Sequence, residues 1–452
     1  MYLPKFRLFF GLFLLFLASK AQDTTTYQLR LDAPVLDVPQ NTQLPYFAPS
    51  TYQALEWSND FYELGFWGID KLGDKIFLPK TKPYTRSRKF WNGVFKYGTS
   101  LLFSRYFSEL PIPLGVWAHE ECHKAVLGVK GLHAKNGNWM LNRWDGTVYG
   151  LSDSSLNQLK GGSPDELLYS YVAGVQYEIA LNEKTTLNDF YKRRSLPKNA
   201  LLLYNAYYVY NYFKFSASSL SDSVKVLAPP HESSDPEERD YAGSDLTAWV
   251  YDMYNPKEAF IARDSFPGGD GVNRRVGFSD LSPEAQNFLV KQKNLSLLNF
   301  LNPALFFVNR IRVSSNFSFN AFAQYAPTHF GNAISLIVPM QYEKYDLLLN
   351  LTNYTNKNSG GLAIAFGLYN YKWSERFESD ISASFWQQPT SFLDDTNING
   401  GSLSLKGRYY FKTNFAGYLT VMAKTKGWAM SNPYLSSNVS LQLGVNYNLP
   451  CR

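Results

Sequence analysis

Three residues of this chain have types and spacing that do definite chemistry: His119, Glu120 and His123. They lie in Val116-Trp117-Ala118-His119-Glu120-Glu121-Cys122-His123-Lys124-Ala125-Val126-Leu127-Gly128. Residues four apart share one face of a helix. Two imidazoles at that spacing can hold one Zn²⁺. Glu120, directly after the first histidine, can take a proton from a metal-bound water and pass it to a leaving amine. The chain holds only five histidines. With histidine that rare, a chance match is on the order of a few in a thousand. The plain alternative is an exposed helix with two solvated histidines.

Catalytic zinc takes three protein ligands and keeps one position open. A second helix downstream can supply the third. Ser163 is a good N-cap, Pro164 suits the first helical position, and Glu166 completes a capping box, which gives Glu166 a structural task. Glu178 has no such task. It follows Gly174 by one turn, and Gly174 lets this helix approach the histidine helix closely. Glu178 is therefore the expected third ligand. A surface glutamate is its bland alternative, and Glu166, His133 and Asp165 are its rivals.

This arrangement resembles the zincin metallopeptidases and is most similar to their gluzincin branch. The resemblance covers roughly residues 113–182 and rests on His119-Glu120-Glu121-Cys122-His123. It implies His119, His123 and Glu178 as metal ligands, Glu120 as base, Zn²⁺ as cofactor, and hydrolysis of peptide bonds by zinc-activated water in a peptide or protein substrate. The chain departs from the metzincin pattern, with no third histidine at short spacing, and lacks the Asn-Glu lead-in of the thermolysin-like glutamate helix. No oxyanion donor is assigned; His231 and Tyr241 are candidates because they lie in a polar, loop-like stretch. Cys122 lies beside the ligand face or, more plainly, is a small buried residue.

The elements that position these residues fall into two kinds. Residues 22–302 read as mainly helical, with a helix over about 113–127 closed by Gly128, a Leu/Tyr-rich helix over 200–214, and a loop or insertion over 216–245. Between the two site helices, Asn136-Gly137 and Asp145-Gly146 mark a short hairpin flanked by Trp139, Leu141, Trp144 and Val148. Its edge could take an extended peptide, although ordinary packing is the default. Residues 303–452 alternate with period two. Leu403, Leu405, Tyr409 and Phe411 oppose Ser402, Ser404, Lys406, Arg408 and Lys412; Val439, Leu441, Leu443 and Val445 oppose Ser440, Gln442, Gly444 and Asn446. The expected segments are 305–325, 333–342, 345–354, 361–372, 376–387, 401–412, 415–425 and 436–448. The first reads as one strand because Phe307, Ile311, Val313, Phe317, Phe319 and Tyr325 keep one parity. Eight strands with large apolar residues on one side and polar ones on the other predict an outer-membrane-type barrel. A soluble β-sandwich is the alternative, and the ending Leu449-Pro450-Cys451-Arg452 lacks the aromatic terminus such barrels commonly carry. The expected fold is thus α+β and multidomain: a mainly helical zincin-like domain, then an antiparallel eight-stranded barrel.

The N-terminus fixes the compartment. Lys5 and Arg7 precede an apolar run from Leu8 to Leu17, and Ser19-Lys20-Ala21 offers small residues to a signal peptidase. Residues 1–21 read as a secretory signal. The whole chain has 44 Lys+Arg against 38 Asp+Glu; removing Lys5, Arg7 and Lys20 leaves 41 against 38, or +3. That near-balance implies no nucleic-acid partner. Two cysteines argue against a disulfide scaffold. The 17% aromatic content suits membrane interfaces. The expectation is an exported zinc metallopeptidase of the bacterial outer membrane, with its N-terminal domain in the periplasm. The alternative is a non-enzymatic outer-membrane barrel whose helical domain is a scaffold.

Overall fold

The computed structural model describes residues 29–44, 48–81, 83–137, 144–192, 195–228 and 231–449. The signal segment 1–21, Trp139, Leu141 and the C-terminal Pro450-Cys451-Arg452 lie outside them. The fold is α+β. Among the described residues, eight helices have ten residues or more: α1 (Thr51–Phe77), α2 (Arg86–Tyr106), α3 (Gly115–Val129), α4 (Asp153–Gly162), α5 (Pro164–Tyr191), α6 (Leu196–Ser216), α7 (Asp245–Tyr254) and α8 (Pro283–Ser296).

Local chemistry sets the helix ends. Ser50 and Gln53 form a capping box at α1, with Gln53 N to Ser50 Oγ at 3.1 Å and Ser50 N to Gln53 Oε1 at 2.9 Å. The expected box at Ser163 does not form. Glu166 instead pairs with Lys130 at 2.6 Å, and Pro164 alone opens α5. At α3 the Tyr62 hydroxyl accepts the free Gly115 N–H at 3.2 Å. This helix ends past Gly128, where Gly131 (φ 74°) adopts the left-handed conformation that glycine tolerates.

The strands are β1 (Leu29–Val38), β2 (Lys135–Asn136), β3 (Val148–Tyr149), β4 (Ile311–Arg312), β5 (Phe317–Phe319), β6 (Phe322–Thr328), β7 (Gly331–Tyr342), β8 (Tyr345–Thr355), β9 (Gly360–Lys372), β10 (Phe377–Pro389), β11 (Asn397–Lys412), β12 (Phe415–Lys424) and β13 (Asn438–Leu449). β2 and β3 form the short hairpin between the site helices. The other eleven make one antiparallel sheet, ordered β1-β13-β12-β11-β10-β9-β8-β7-β5-β4, with β6 also on β7. The expected count of eight is therefore corrected to eleven, for two reasons. First, 305–325 is not one strand. Pro303–Phe306 is a 3-10 turn, Phe307 sits at φ 66°, and the Asn320 side chain donates to the Val308 and Asn309 carbonyls at 3.0 and 2.9 Å. Parity survives these breaks, so it cannot reveal them. Second, β1 joins the sheet from near the start of the chain. Its register shifts between Pro34 and Leu36, which scrambles the alternation.

β1 and β4 end the strand order, and among the described residues no pairing joins them. Side chains of α1 serve the β1 backbone instead: Trp57 Nε1 donates to Pro34 O at 3.2 Å, Gln53 Nε2 to Val35 O at 3.3 Å, and Asp60 Oδ1 accepts from Asp32 N at 3.2 Å. The sheet has two unlike faces. Leu351, Leu362, Phe366, Phe385, Leu403, Leu405, Leu419, Val439 and Leu441 are exposed on the outer one. Ser402, Lys406, Arg408 and Thr420 face inward, where a cavity of about 460 Å³, lined also by Asp32, Glu56 and Lys184, lies between the sheet, α1 and α5.

Helix α5 runs along that inner face. Tyr169 Oη donates to Asn432 O at 2.8 Å, Gln176 Nε2 to Pro327 O at 2.7 Å, and Tyr191 Oη to Leu347 O at 2.5 Å. Residues 167–181 are all buried, the mark of a helix enclosed on every side. One continuous core joins Val126, Tyr171 and Trp249 of the helices to Tyr325, Tyr354 and Trp386 of the sheet.

Candidate metal centre

Three helices meet at the site. α3 contributes His119 and His123 from one face, α5 passes behind them, and α7 begins at Asp245. The Nε2 atoms of His119 and His123 stand 3.5 and 3.4 Å from one oxygen, Asp245 Oδ2. The three ligand atoms lie within 4.8 Å of one another and are able to hold a metal ion. Bonds of about 2.05 Å at tetrahedral angles would set ligand atoms about 3.3 Å apart. The His–Asp separations fit that group.

The other nitrogens are held from behind. His119 Nδ1 meets Glu178 Oε1 and Oε2 at 3.0 and 3.3 Å. His123 Nδ1 meets the Ser170 carbonyl at 2.5 Å and the Tyr241 hydroxyl at 3.1 Å. A carboxylate and a carbonyl accept from Nδ1–H and so turn each Nε2 toward Asp245, the way partners behind a ring orient metal-binding histidines. Tyr212 Oη donates to Asp245 Oδ2 at 2.8 Å and fixes the carboxylate in turn. Gly174 lies where α5 crosses the imidazoles: a Cβ there would run into Nε2 of both His119 and His123.

Electrostatics follow from burial and these contacts. Burial pushes the Asp245 carboxyl up, but the two imidazoles outweigh it and hold it below the usual carboxylate range. Burial disfavours charge on His119, yet Glu178 and Asp245 raise it well above an ordinary imidazole; His123 is raised in the same way by Asp245. Glu120 is pushed up to about 8 by burial, with His119 and His123 opposing.

His119 and His123 thus come together as expected of their spacing, and Glu120 is buried. The third place does not go to Glu178. Gly174, one turn earlier, is the residue of α5 that faces the Nε2 pair, so Glu178 falls beside Nδ1 of His119, behind the ring. Asp245 takes the third place. It went unread because residues 216–245 read as a loop or insertion, so no helix start was placed at Asp245. Among the rivals, Glu166 pairs with Lys130 and His133 is exposed. His231 is exposed too, whereas Tyr241 does reach the site, on the far side of His123. Cys122 is buried in the hydrophobic core, and burial raises its thiol well above the ordinary range.

No family model matches this chain, and no curated protein matches it in sequence. Among solved structures it is similar to the NanC porin in its rhombohedral crystal form, at 8% identity and a TM-score of 0.25, over 31% of this chain and 76% of that one.

Proposed function

We propose that this chain is a zinc-dependent hydrolase of peptide bonds, held in a bacterial outer membrane by its sheet. The observation that carries the catalytic reading is the convergence of two Nε2 atoms on Asp245 Oδ2 at 3.5 and 3.4 Å, with both Nδ1 atoms already engaged. His119, His123 and Asp245 would hold the ion, which when bound polarises a carbonyl and lowers the pKa of water. The rest is the work of side chains. Glu178, Ser170 and Tyr241 keep the imidazoles oriented, and Tyr212 keeps Asp245 turned toward them. Glu120, buried and adjacent, accepts the proton of the attacking water and returns it to the leaving amine. The membrane reading is supported by strands β7 to β13, ten to sixteen residues long, with apolar outer and polar inner faces, as spanning strands require.

The deciding experiment measures zinc per chain in the purified protein, wild type beside His123→Ala, Asp245→Ala and Glu120→Gln, together with cleavage of a fluorescent casein. The expected result is one zinc in the wild type and in Glu120→Gln, none in the other two, and cleavage by the wild type alone. A second reading, an outer-membrane protein with a helical scaffold, is favoured by the depth of the site, where His119 and His123 are 3% and 1% exposed. Stoichiometric zinc without cleavage of any peptide would select it.

A further inference from the structure

We infer that the α1–α2 hairpin is a second membrane contact, its outer face lying in bilayer hydrocarbon beside the outer face of the sheet. The inference rests on the membrane reading above.

Helix α2 is inside-out. The residues it buries are Asn92, Lys96, Ser100 and Ser104, a polar stripe at every fourth position. Lys96 Nζ meets Asp70 and Asp74 of α1, each at 2.7 Å, and Asn92 Nδ2 donates to Asp74 Oδ1 at 2.8 Å. What α2 exposes is Phe90, Trp91, Val94, Leu102 and Tyr106, each 46 to 63% accessible. Helix α1 adds to this outer face with Phe61, Leu64, Leu72 and Ile76, while Glu56, Asp60 and Glu63 are buried beside the core residues Tyr62, Phe66 and Ile69. A helix on a water-facing surface has the opposite arrangement. In hydrocarbon the pattern is what physics requires: charges turn inward and pair, and apolar side chains take the outside.

Dimensions and charge select lipid as the occupant. From Trp91 to Ser104 the exposed side of α2 carries no charged residue; fourteen residues at 1.5 Å rise give about 21 Å, close to the roughly 25 Å apolar band of outer-membrane proteins. Aromatic and basic residues bound the stretch. Lys75, Lys80, Tyr84, Arg86 and Lys89 gather at the hairpin tip, and Arg105 and Tyr106 stand at the other end. Both sets suit headgroups, and the basic tip suits anionic ones.

Position adds a third argument. α1 lies on β1, one end of the strand order, and the Tyr97 ring of α2 meets Phe307, just before β4 at the other end, with centroids 5.6 Å apart. The hairpin thus adjoins both free edges and continues the lipid-facing wall where strand pairing stops. Among the described residues no helix is long and apolar enough to cross a membrane. Averaged hydropathy misses this hairpin because its inner stripe is polar.

The test is photolabelling of the full chain in phosphatidylethanolamine/phosphatidylglycerol vesicles doped with a phospholipid carrying a diazirine on its acyl chain, followed by trypsin and mass spectrometry. Adducts are expected on the α2 peptides Phe90–Lys96 and Tyr97–Arg105 as well as on the strand peptide 377–406. Adducts on the strand peptide with both helix peptides unlabelled would overturn the inference and leave the membrane reading standing; a dimer in detergent alongside that result would give the face to a second copy of the chain. Adducts nowhere would overturn both.

Discussion

At the scale of single residues, the site is a division of labour between the two nitrogens of each imidazole, and substitutions should separate the two sides. Asp245→Asn removes an anionic ligand and should abolish stoichiometric zinc. Glu178→Gln keeps the shape behind His119 but weakens its partner, and should lower zinc affinity by about 10- to 100-fold without abolishing binding, the usual cost of losing such a partner. Competitive titration with a zinc chelator distinguishes them. Equal losses would mean that Glu178 is itself a ligand. Gly174→Ala tests the packing: its methyl group would displace both imidazoles, so zinc should be lost, with about 1–3 kcal/mol of overpacking strain in the unfolding free energy. The histidine pair was legible because its geometry is local to one helix turn. Gly174 was legible as a point of close approach. Asp245 was not, since its place depends on how α7 docks, and no spacing along the chain encodes that.

Elements were legible to the extent that one period governs them. Helices α3 and α5 fall within two residues of their expected starts, and the alternation of β11 and β13 put Leu403, Leu405, Tyr409, Phe411, Val439 and Leu441 together on what is an exposed face. The failures are where period and geometry part: a bulge hid β1, and turns with conserved parity hid the breaks between β4, β5 and β6. Nor could alternation say what lies on the inner face. That is α5, and Gln176 is one of its ties, donating to Pro327 O of β6 at 2.7 Å while its Oε1 accepts from Trp428 Nε1 at 3.3 Å. Gln176→Leu removes both bonds inside the shared core and strands two buried partners. The expected cost is about 1–3 kcal/mol, read as a lower denaturant midpoint at unchanged slope in detergent. A variant as stable as wild type would show that these two bonds add nothing net to the docking of α5.

For the whole molecule, the question is what solvent the sheet was built for. The two sequence halves share one core, so the sheet's inner face is already spoken for by helices. The outer face must therefore meet water, lipid or another protein with Leu403, Leu405, Leu419, Val421, Leu441 and Leu443. Leu405 decides between the first two. It pairs with Val421 on one side and Ile381 on the other, and it is 44% exposed. On a surface facing water, Leu405→Arg is an ordinary exposed substitution and changes stability by no more than about 0.5 kcal/mol. Facing hydrocarbon near the bilayer centre, the same change costs about 2–4 kcal/mol, and less toward either interface. The expected outcome, from reversible urea unfolding of the full chain in phospholipid vesicles, is the larger loss for Leu405→Arg and a near-neutral result for Lys412→Ala at the end of the same strand. Because the argument uses depth, it gains from a series: Leu403, Leu405 and Phe411 to Arg should trace a penalty that falls toward the strand end, a profile that neither a water-facing sheet nor a protein interface of uniform polarity would produce.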